Sequence, residues 1–368
     1  MMTEANRPAW PASDAGLADI QRALACTASG DPEASHATHL PANQPPWQST
    51  GLSLRRGQAY TLFAGGRVRW SPRHPHLHGG PGFHLWARVA PDGRIVNLVR
   101  DTSSFVADVD GELELGMYLG AWRDDRGTLD TPRAAFERLA GGLDVLALTW
   151  RGTALEGLTE LARRCVAAPI ARELARLRAN ASPPAGWDYL IEAGISDIFR
   201  ACDDHGHACI RLDAEDDQGI LRRPVDFPLG PDTRIAWRWK VDAHPSRVAE
   251  DSHLSHDYVS VAAEFDNGRD LTWMWSSALP REHWFACPIR AWSARETHLV
   301  VRSGLDDLGQ WCAEERGVYG DVARAMGAPP ARIVALWLIC VATFQHGVAR
   351  ATFTDLELRD GERRLRVV

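Results

Sequence analysis

The sequence predicts a mainly β protein that contains two antiparallel β-sandwich domains of the jelly-roll type, joined by a helical linker. Short stretches with alternating apolar and polar residues recur along most of the chain, and Gly and Pro turn signals separate them. One amphipathic helical segment interrupts this pattern near the middle of the chain. At 368 residues the chain is long enough to form two cores of ordinary size.

Composition limits the class of protein. Hydrophobic residues make up 45% and charged residues 24% of the chain, as in ordinary soluble proteins. The net charge of −7 argues against a surface for nucleic acid or for anionic membranes. No apolar stretch is long enough to span a bilayer, and the first residues do not resemble a signal peptide. Seven cysteines without a CxxC pair fit a reducing compartment, so we expect a cytoplasmic protein.

The chain divides into four predicted segments. Residues 1–50 are rich in Pro and Ala and are expected to form an extended arm. Residues 51–152 predict the first β-sandwich, and residues 153–186 predict an amphipathic helical linker that Pro169 splits. Residues 187–368 predict a larger β-sandwich with a candidate ligand cleft.

The first predicted sandwich resembles a known lectin family. The resemblance covers residues 51–151 through GQAYTLFAGGRVRWS, the turn Gly79-Gly80-Pro81-Gly82 and FVADVDGELELGMYLGAW. These stretches look like the PA-I galactophilic lectins, whose small jelly-roll domain binds sugar through a calcium ion. Where that family places its calcium-binding Asn and Asp residues, this chain has Trp122 and Arg123. Arginine cannot donate the oxygen ligand that calcium requires, whereas Asp124, Asp125 and Asp130 lie close enough to replace the missing ligands. The resemblance therefore implies the fold and leaves calcium binding open.

The segment of residues 234–276 organises the second half of the chain. It combines three alternating strand patterns with a polar loop, residues 243–256, and it holds four of the fifteen tryptophans. Aromatic side chains beside a polar loop suggest a ligand cleft. We therefore predict that a small molecule binds here against Trp237, Trp239, Trp273 and Trp275. Large sandwich cores are the alternative explanation for so many tryptophans.

The second half also resembles a bacterial family known only as domain of unknown function 3047. The residues that carry this resemblance are the two W-x-W pairs, the Asp257-Tyr258 step, Arg302-Ser303-Gly304 and Gly309-Gln310-Trp311. The resemblance spans nearly the entire second domain and implies its fold. It implies no activity.

Acidic and histidine side chains near the predicted cleft are candidates for acid–base catalysis. Proton transfer needs a pair of titratable groups close to the reacting bond. The candidate catalytic residues are His256, Asp257, Tyr258, Glu264 and Glu314. Arg316 is a candidate substrate-binding residue, with a salt bridge near Trp311 as the alternative role.

Two histidine-containing clusters resemble metal sites at first sight, but their spacing favours other roles. His74, His76, His78 and His84 are interrupted by Pro and Gly, which favours a loop. Cys202, His205, His207 and Cys209 lack the spacing that is typical of zinc sites. The chain also has no P-loop, dinucleotide-binding glycine motif, GxSxG or HExxH sequence. We therefore predict no metal and no cofactor.

Two functions remain open from the sequence. The first is a cofactor-independent acid–base enzyme, a lyase, cyclase, isomerase or hydrolase that acts on a small oxygenated or apolar metabolite, with a place in a biosynthetic pathway as one setting. The second is a non-catalytic protein that binds a carbohydrate or polyol. The expected partner in both is a small molecule, with no nucleic acid and no membrane, and the oligomeric state cannot be read from the sequence.

Overall fold

A computed structural model describes residues 15–25, 32–44, 46–71, 73–74, 76–120, 122–179 and 182–368. Contacts within the chain divide it into two compact units, residues 1–181 and 182–368. Strands dominate both units, and their pairing is antiparallel with one exception. The predicted mainly β class is therefore confirmed.

Two sheets form the N-terminal unit. The first sheet contains, in spatial order, β1 (Ala34–Pro41), β9 (Ala140–Thr149), β3 (Ala59–Arg69) and β4 (His78–Gly79), with β7 (Thr102–Val106) paired to β3. The second sheet contains β2 (Trp47–Leu54), β8 (Gly111–Met117), β5 (Leu85–Ala90) and β6 (Val96–Asn97). Apolar residues of both sheets, such as Leu62 and Leu113, share one buried core, which makes this unit a β-sandwich.

In the described part of this unit, four α-helices accompany the sheets: α1 (Ala15–Ala25), the single turn α2 (Pro81–His84), α3 (Ala154–Ala162) and α4 (Ala168–Ala179). The predicted linker forms α3 and α4, and Pro169 lies in the first turn of α4, where its missing N–H costs nothing. Thr153 caps α3 through a capping box with Glu156. Both helices pack with α1 in a second apolar cluster of the N-terminal unit, around Phe63 and Leu148.

The arm that we predicted for residues 1–50 is partly structured. Residues 1–14 and 26–31 lie outside the described residues. Residues 34–41 pair along β9, and residues 47–54 pair with β8. The Pro-rich composition hid these two edge strands, since Pro is tolerated at the edge of a sheet.

The C-terminal unit is a larger sandwich. Its seven-stranded sheet contains β10 (Asp188–Tyr189), β13 (Gln218–Pro228), β20 (Arg332–Val341), β15 (Tyr258–Phe265), β16 (Asp270–Ser276), β18 (Glu296–Ser303) and β17 (Trp284–Ala286). Its six-stranded sheet contains β11 (Phe199–Asp204), β12 (His207–Glu215), β21 (Val348–Asp360), β14 (Arg234–Ala243) and β19 (Trp311–Gly317), with β22 (Arg363–Arg366) paired to β21. The helix α5 (Val318–Met326) follows β19, and β16 and β18 are the parallel pair.

The three strand patterns of residues 234–276 form β14, β15 and β16, but they do not share one sheet. The strand β14 belongs to the six-stranded sheet, whereas β15 and β16 belong to the seven-stranded sheet. Their apolar faces meet across the interior of the sandwich. Among the described residues, no helix combines the length and the apolar character that crossing a bilayer demands.

Candidate metal centre

The seven-stranded sheet has two buried faces of different chemistry. Because side chains alternate along a strand, Val259 and Val261 enter the core while Tyr258 and Ser260 lie on the opposite face. On that opposite face the strand register places Asp270 beside Glu296 and Thr272 beside His298. All of these polar side chains are buried. Buried polar groups need partners, so this face of the sheet is a candidate site.

Four possible metal ligands converge on this face from three chain segments. His256 lies two residues before β15, and Cys287 directly follows the edge strand β17. Glu296 and His298 are the first and third residues of β18, so their side chains leave the strand on the same face. One donor atom from each of the four residues lies within 4.8 Å of the others, and all four residues are buried.

Each imidazole offers a nitrogen to this cluster. His256 Nδ1 lies 2.7 Å from the carbonyl oxygen of Glu250, so this nitrogen carries the proton and Nε2 carries a lone pair. His256 Nε2 lies 3.5 Å from Cys287 Sγ. His298 Nε2 lies 3.5 Å from Glu296 Oε1, and neither ring nitrogen of His298 has a hydrogen-bond partner among the described residues. A buried imidazole whose Nδ1 has no hydrogen-bond partner, and whose Nε2 has only a 3.5 Å contact with a carboxylate, requires an explanation.

Hydroxyl groups hold the carboxylate of Glu296 from the other side. The Tyr258 hydroxyl donates to Glu296 Oε1 over 3.1 Å, and the Thr272 hydroxyl lies 3.4 Å from the same oxygen. Burial and the charge of Glu296 raise the pKa of Tyr258 well above its ordinary value, so the phenol remains a donor. Thr272 also lies 3.3 Å from Asp270 Oδ2. Such partners orient the ligands of metal sites.

Burial and mutual charge set the protonation of the cluster. Burial, with the neighbouring His298, lowers the pKa of His256 to about 3, so its imidazole is neutral near pH 7. Burial opposes the ionisation of Glu296, but His298 and His256 lower its pKa to about 2. Burial and the charge of Glu296 raise the pKa of the Cys287 thiol. A metal ion that binds through Cys287 would therefore displace the proton of the thiol.

The donor set fits a tetrahedral transition-metal ion. Zinc is held at about 2.0–2.3 Å by imidazole, thiolate and carboxylate, which separates neighbouring donors by roughly 3.5 Å. The two donor pairs described above have this separation, and each remaining pair, within 4.8 Å, would have to close by about 1.3 Å at most. The sequence predicted no metal site, because Cys287, Glu296 and His298 do not form a recognisable ligand spacing.

Of the predicted catalytic residues, His256 belongs to this cluster, Tyr258 donates a hydrogen bond to it, and two others engage different partners. Asp257 accepts hydrogen bonds from the backbone N–H of Phe344 and Gln345, over 3.0 and 2.6 Å. Burial raises the pKa of Asp257 to about 6 despite these donors. Glu264 accepts from Arg222 Nε over 2.7 Å and from an indole N–H of β20.

Glu314 and Arg316 form ion pairs apart from the cluster. Glu314 Oε1 accepts from Arg302 Nε over 2.8 Å. Arg316 donates to Asp321 over 2.8 Å and to Glu282 over 2.7 Å. Arg316 therefore connects β19 to α5, with partners other than the glutamates beside Trp311 that the sequence suggested for its salt bridge.

The four tryptophans of the predicted cleft lie in the sandwich core instead. Each is at most 1% exposed. The ring of Trp237 lies 6.1 Å from that of Trp273, and the ring of Trp239 lies 5.5 Å from that of Trp275. The tryptophan side chains that the sequence predicted as the floor of a cleft point into the core from both sheets, because β14 and β16 belong to opposite layers of the sandwich. These rings are not accessible to a ligand.

The cysteine and histidine clusters that we rejected as metal sites have other roles. Cys202 and Cys209 are joined by a disulfide between β11 and β12, which departs from the expectation of reduced cysteines. His84 is buried between the Trp70 indole, over 2.9 Å, and the Tyr118 carbonyl, over 2.7 Å. Both ring nitrogens of His84 are thus satisfied within the fold.

The fold and the buried cluster define a two-unit, mainly β protein whose C-terminal unit has a candidate metal centre. Residues 186–357 of that unit match the family model described as Protein of unknown function (DUF3047), which confirms the resemblance of the C-terminal half. That description includes no activity. No curated protein matches the chain.

Solved structures give weaker similarities. One is "EclA N-terminal domain; PllA-like lectin", with 16% identity over 31% of this chain and 95% of that chain, at a TM-score of 0.24. Another is salicylate 1,2-dioxygenase from Pseudoaminobacter salicylatoxidans with gentisate adducts, with 10% identity over 98% of this chain and 88% of that chain, at a TM-score of 0.14. Alignments at these TM-scores do not identify a function for this chain.

Proposed function

We propose that the C-terminal unit binds a divalent transition-metal ion, zinc in the first place, through His256, Cys287, Glu296 and His298. The observation that carries this proposal is the convergence of two imidazoles, a thiol and a carboxylate within 4.8 Å in a buried position. His298 supports it, because its ring nitrogens make no close hydrogen bond among the described residues beyond the 3.5 Å contact of Nε2 with Glu296, and a metal ion would give one of them a ligand bond.

The chemistry of the donors selects the class of metal. Calcium and magnesium prefer sets of oxygen ligands, whereas this cluster offers one carboxylate among nitrogen and sulfur donors. A thiolate with two imidazoles suits zinc and its spectroscopic substitute cobalt(II). Four protein donors complete a tetrahedron, so the proposed ion has no position left for water or substrate. Closed sites of this kind are structural.

The test is the metal content and the cobalt(II) spectrum of the purified chain. We expect about one zinc ion per chain, and on replacement by cobalt(II) an absorption band from thiolate to metal. Cys287→Ser should lose that band and most of the bound metal. Cys312→Ser is the matched control, since Cys312 is also a buried free cysteine but lies outside the cluster. A wild-type chain that takes up neither ion contradicts the proposal.

Acid–base catalysis without a metal is the second candidate, and one observation favours it. The Thr272 hydroxyl lies between two buried carboxyl groups, 3.3 Å from Asp270 and 3.4 Å from Glu296. Burial and the charge of Glu296 raise the pKa of Asp270, so the pair combines a protonated acid with an ionised base. Paired carboxyl groups with opposite protonation are typical of general acid–base sites.

The two candidates differ in a measurable way. A metal-free enzyme would convert a small oxygenated or apolar metabolite in the presence of a chelator, and Asp270→Asn would abolish that turnover. The metal centre predicts that a chelator lowers stability and that Asp270→Asn still binds one ion. Conversion by the chelated chain would therefore favour the acid–base enzyme.

Carbohydrate binding has less support from the geometry. The four tryptophans proposed to stack on sugar rings are buried in the core of the C-terminal unit. In the N-terminal unit, a polar pocket of about 330 Å³ is lined partly by Trp47. That ring stacks on Trp122 at 5.3 Å and contacts the Arg88 guanidinium at 4.4 Å, so protein groups already use it.

A further inference from the structure

The loop between β14 and β15 presents His256 to the cluster, and Glu250 lies at the centre of this loop. Glu250 is fully buried. Its carboxylate accepts hydrogen bonds from the Ser277 backbone N–H, over 2.7 Å, and from the Ser276 hydroxyl. These partners lie at the end of β16, a central strand of the seven-stranded sheet. The side chain of Glu250 therefore fixes its own backbone relative to the sheet.

The backbone of the same residue determines which nitrogen of His256 carries the proton. The Glu250 carbonyl oxygen lies 2.7 Å from His256 Nδ1. A carbonyl oxygen only accepts, so Nδ1 must donate and Nε2 must carry the lone pair. Since Nε2 is the nitrogen that lies 3.5 Å from Cys287 Sγ, this tautomer directs the lone pair to the cluster.

The rest of the loop is anchored before any ion binds. His244 Nε2 lies 3.0 Å from the Trp275 carbonyl oxygen. The Gln345 side chain donates to the Ser246 hydroxyl over 2.8 Å and to the Ser255 carbonyl over 3.1 Å. The loop is thus preorganised. We call the contacts of the Glu250 carboxylate with Ser276 and Ser277 the Glu250 clamp, and the backbone carbonyl of the same residue contacts the proposed ligand His256.

We propose that Glu250 is a positioning residue of the metal centre, which holds His256 in the Nδ1–H tautomer with Nε2 facing the ion. This inference rests on the proposed function. Glu250 touches no metal in this arrangement, because both carboxylate oxygens are used by Ser276 and Ser277. Outer partners of this kind change metal affinity by about 10- to 100-fold when they are removed.

The test combines two measurements on the full chain. The ring ¹⁵N chemical shifts of His256 in the metal-free protein report the tautomer, and competition with a chromophoric chelator gives the affinity for zinc. We expect Glu250→Ala to mix the tautomers and to weaken zinc binding about 10- to 100-fold. Glu250→Gln should weaken zinc binding less than Glu250→Ala, because its amide oxygen still accepts from the Ser277 N–H. Its NH2 group cannot replace the second contact, because the Ser276 hydroxyl already accepts from the backbone N–H of Ala278 and Leu279. Asp251→Ala is the control, since Asp251 is the exposed neighbour.

The outcomes separate this inference from the proposed function. A wild-type chain without zinc affinity overturns the metal centre and Glu250's role in it. Equal zinc affinity in wild type and Glu250→Ala, with the tautomer unchanged, overturns the role of Glu250 alone. If Glu250→Ala does not fold, Ser276→Ala removes one of the two clamp contacts. We then expect a smaller loss of affinity, and unchanged affinity in Ser276→Ala contradicts the inference.

Discussion

Replacing Trp273 by alanine distinguishes a core tryptophan from a ligand-binding one. Trp273 is fully buried, and its indole N–H donates to Asp321 Oδ2 over 2.9 Å. Truncating a buried tryptophan costs about 3–5 kcal/mol, since apolar burial is lost and a cavity remains. Asp321 keeps its ion pair with Arg316, so the lost hydrogen bond adds little. We therefore expect about 3–5 kcal/mol of destabilisation in the C-terminal unit.

In a unit of this size, that loss corresponds to a fall in melting temperature of roughly 6–20 °C. Calorimetry of the full chain measures it, and hydrogen exchange of β16 identifies the transition that belongs to the C-terminal unit. Trp284→Ala is the matched control, because Trp284 is 46% exposed on the edge strand β17 and should cost under about 1 kcal/mol. A Trp273→Ala variant as stable as Trp284→Ala would refute the core placement.

Three further predictions concern the cluster and the disulfide. Tyr258→Phe removes the hydroxyl that donates to Glu296, and we expect about tenfold weaker zinc binding with the fold unchanged. Equal zinc affinity in wild type and variant, measured by chelator competition, would contradict the role of Tyr258 in orienting Glu296. The free energy of unfolding of the metal-free protein should fall as the pH falls from 6.5 towards about 3, because the unfolded chain protonates His256 at a higher pH than the folded chain does. Urea unfolding at about pH 7 and 5 measures this loss. A His256→Gln variant should show a weaker pH dependence. Reduction of the disulfide should lower the free energy of unfolding by about 2 kcal/mol, and the Cys202→Ser variant should not respond to reductant in the same urea assay.

The alternation of apolar residues predicted the strands well because it reflects burial directly. The patterns at residues 234–241, 258–265 and 271–276 correspond closely to β14, β15 and β16. What periodicity cannot encode is which strands pair. The long loop before His256 carries the chain from the six-stranded sheet to the seven-stranded sheet, so one set of tryptophans faces the other across the core. The predicted cleft assumed that all three strands were neighbours.

The candidate site was predicted only in part, for a related reason. His256 and Tyr258 were found because they adjoin the organising strands. Glu296 and His298 were missed because Glu-x-His on a strand is a common pattern, and only the pairing of β16 with β18 brings them near Thr272. Cys287 was missed because its position depends on the edge strand β17. The signal in the sequence was the spacing of Glu296 and His298, which places both side chains on one face of a buried strand and indicates a shared site.

X-ray absorption at the zinc edge of the purified chain tests the metal centre most directly. The account predicts one sulfur neighbour at about 2.3 Å and three nitrogen or oxygen neighbours at about 2.0 Å. In Cys287→Ser most of the zinc should be lost and the remainder should have no sulfur neighbour, whereas Cys312→Ser should keep both the zinc and its sulfur neighbour. A zinc shell without sulfur in the wild-type chain, or a chain that binds no zinc, would contradict the account.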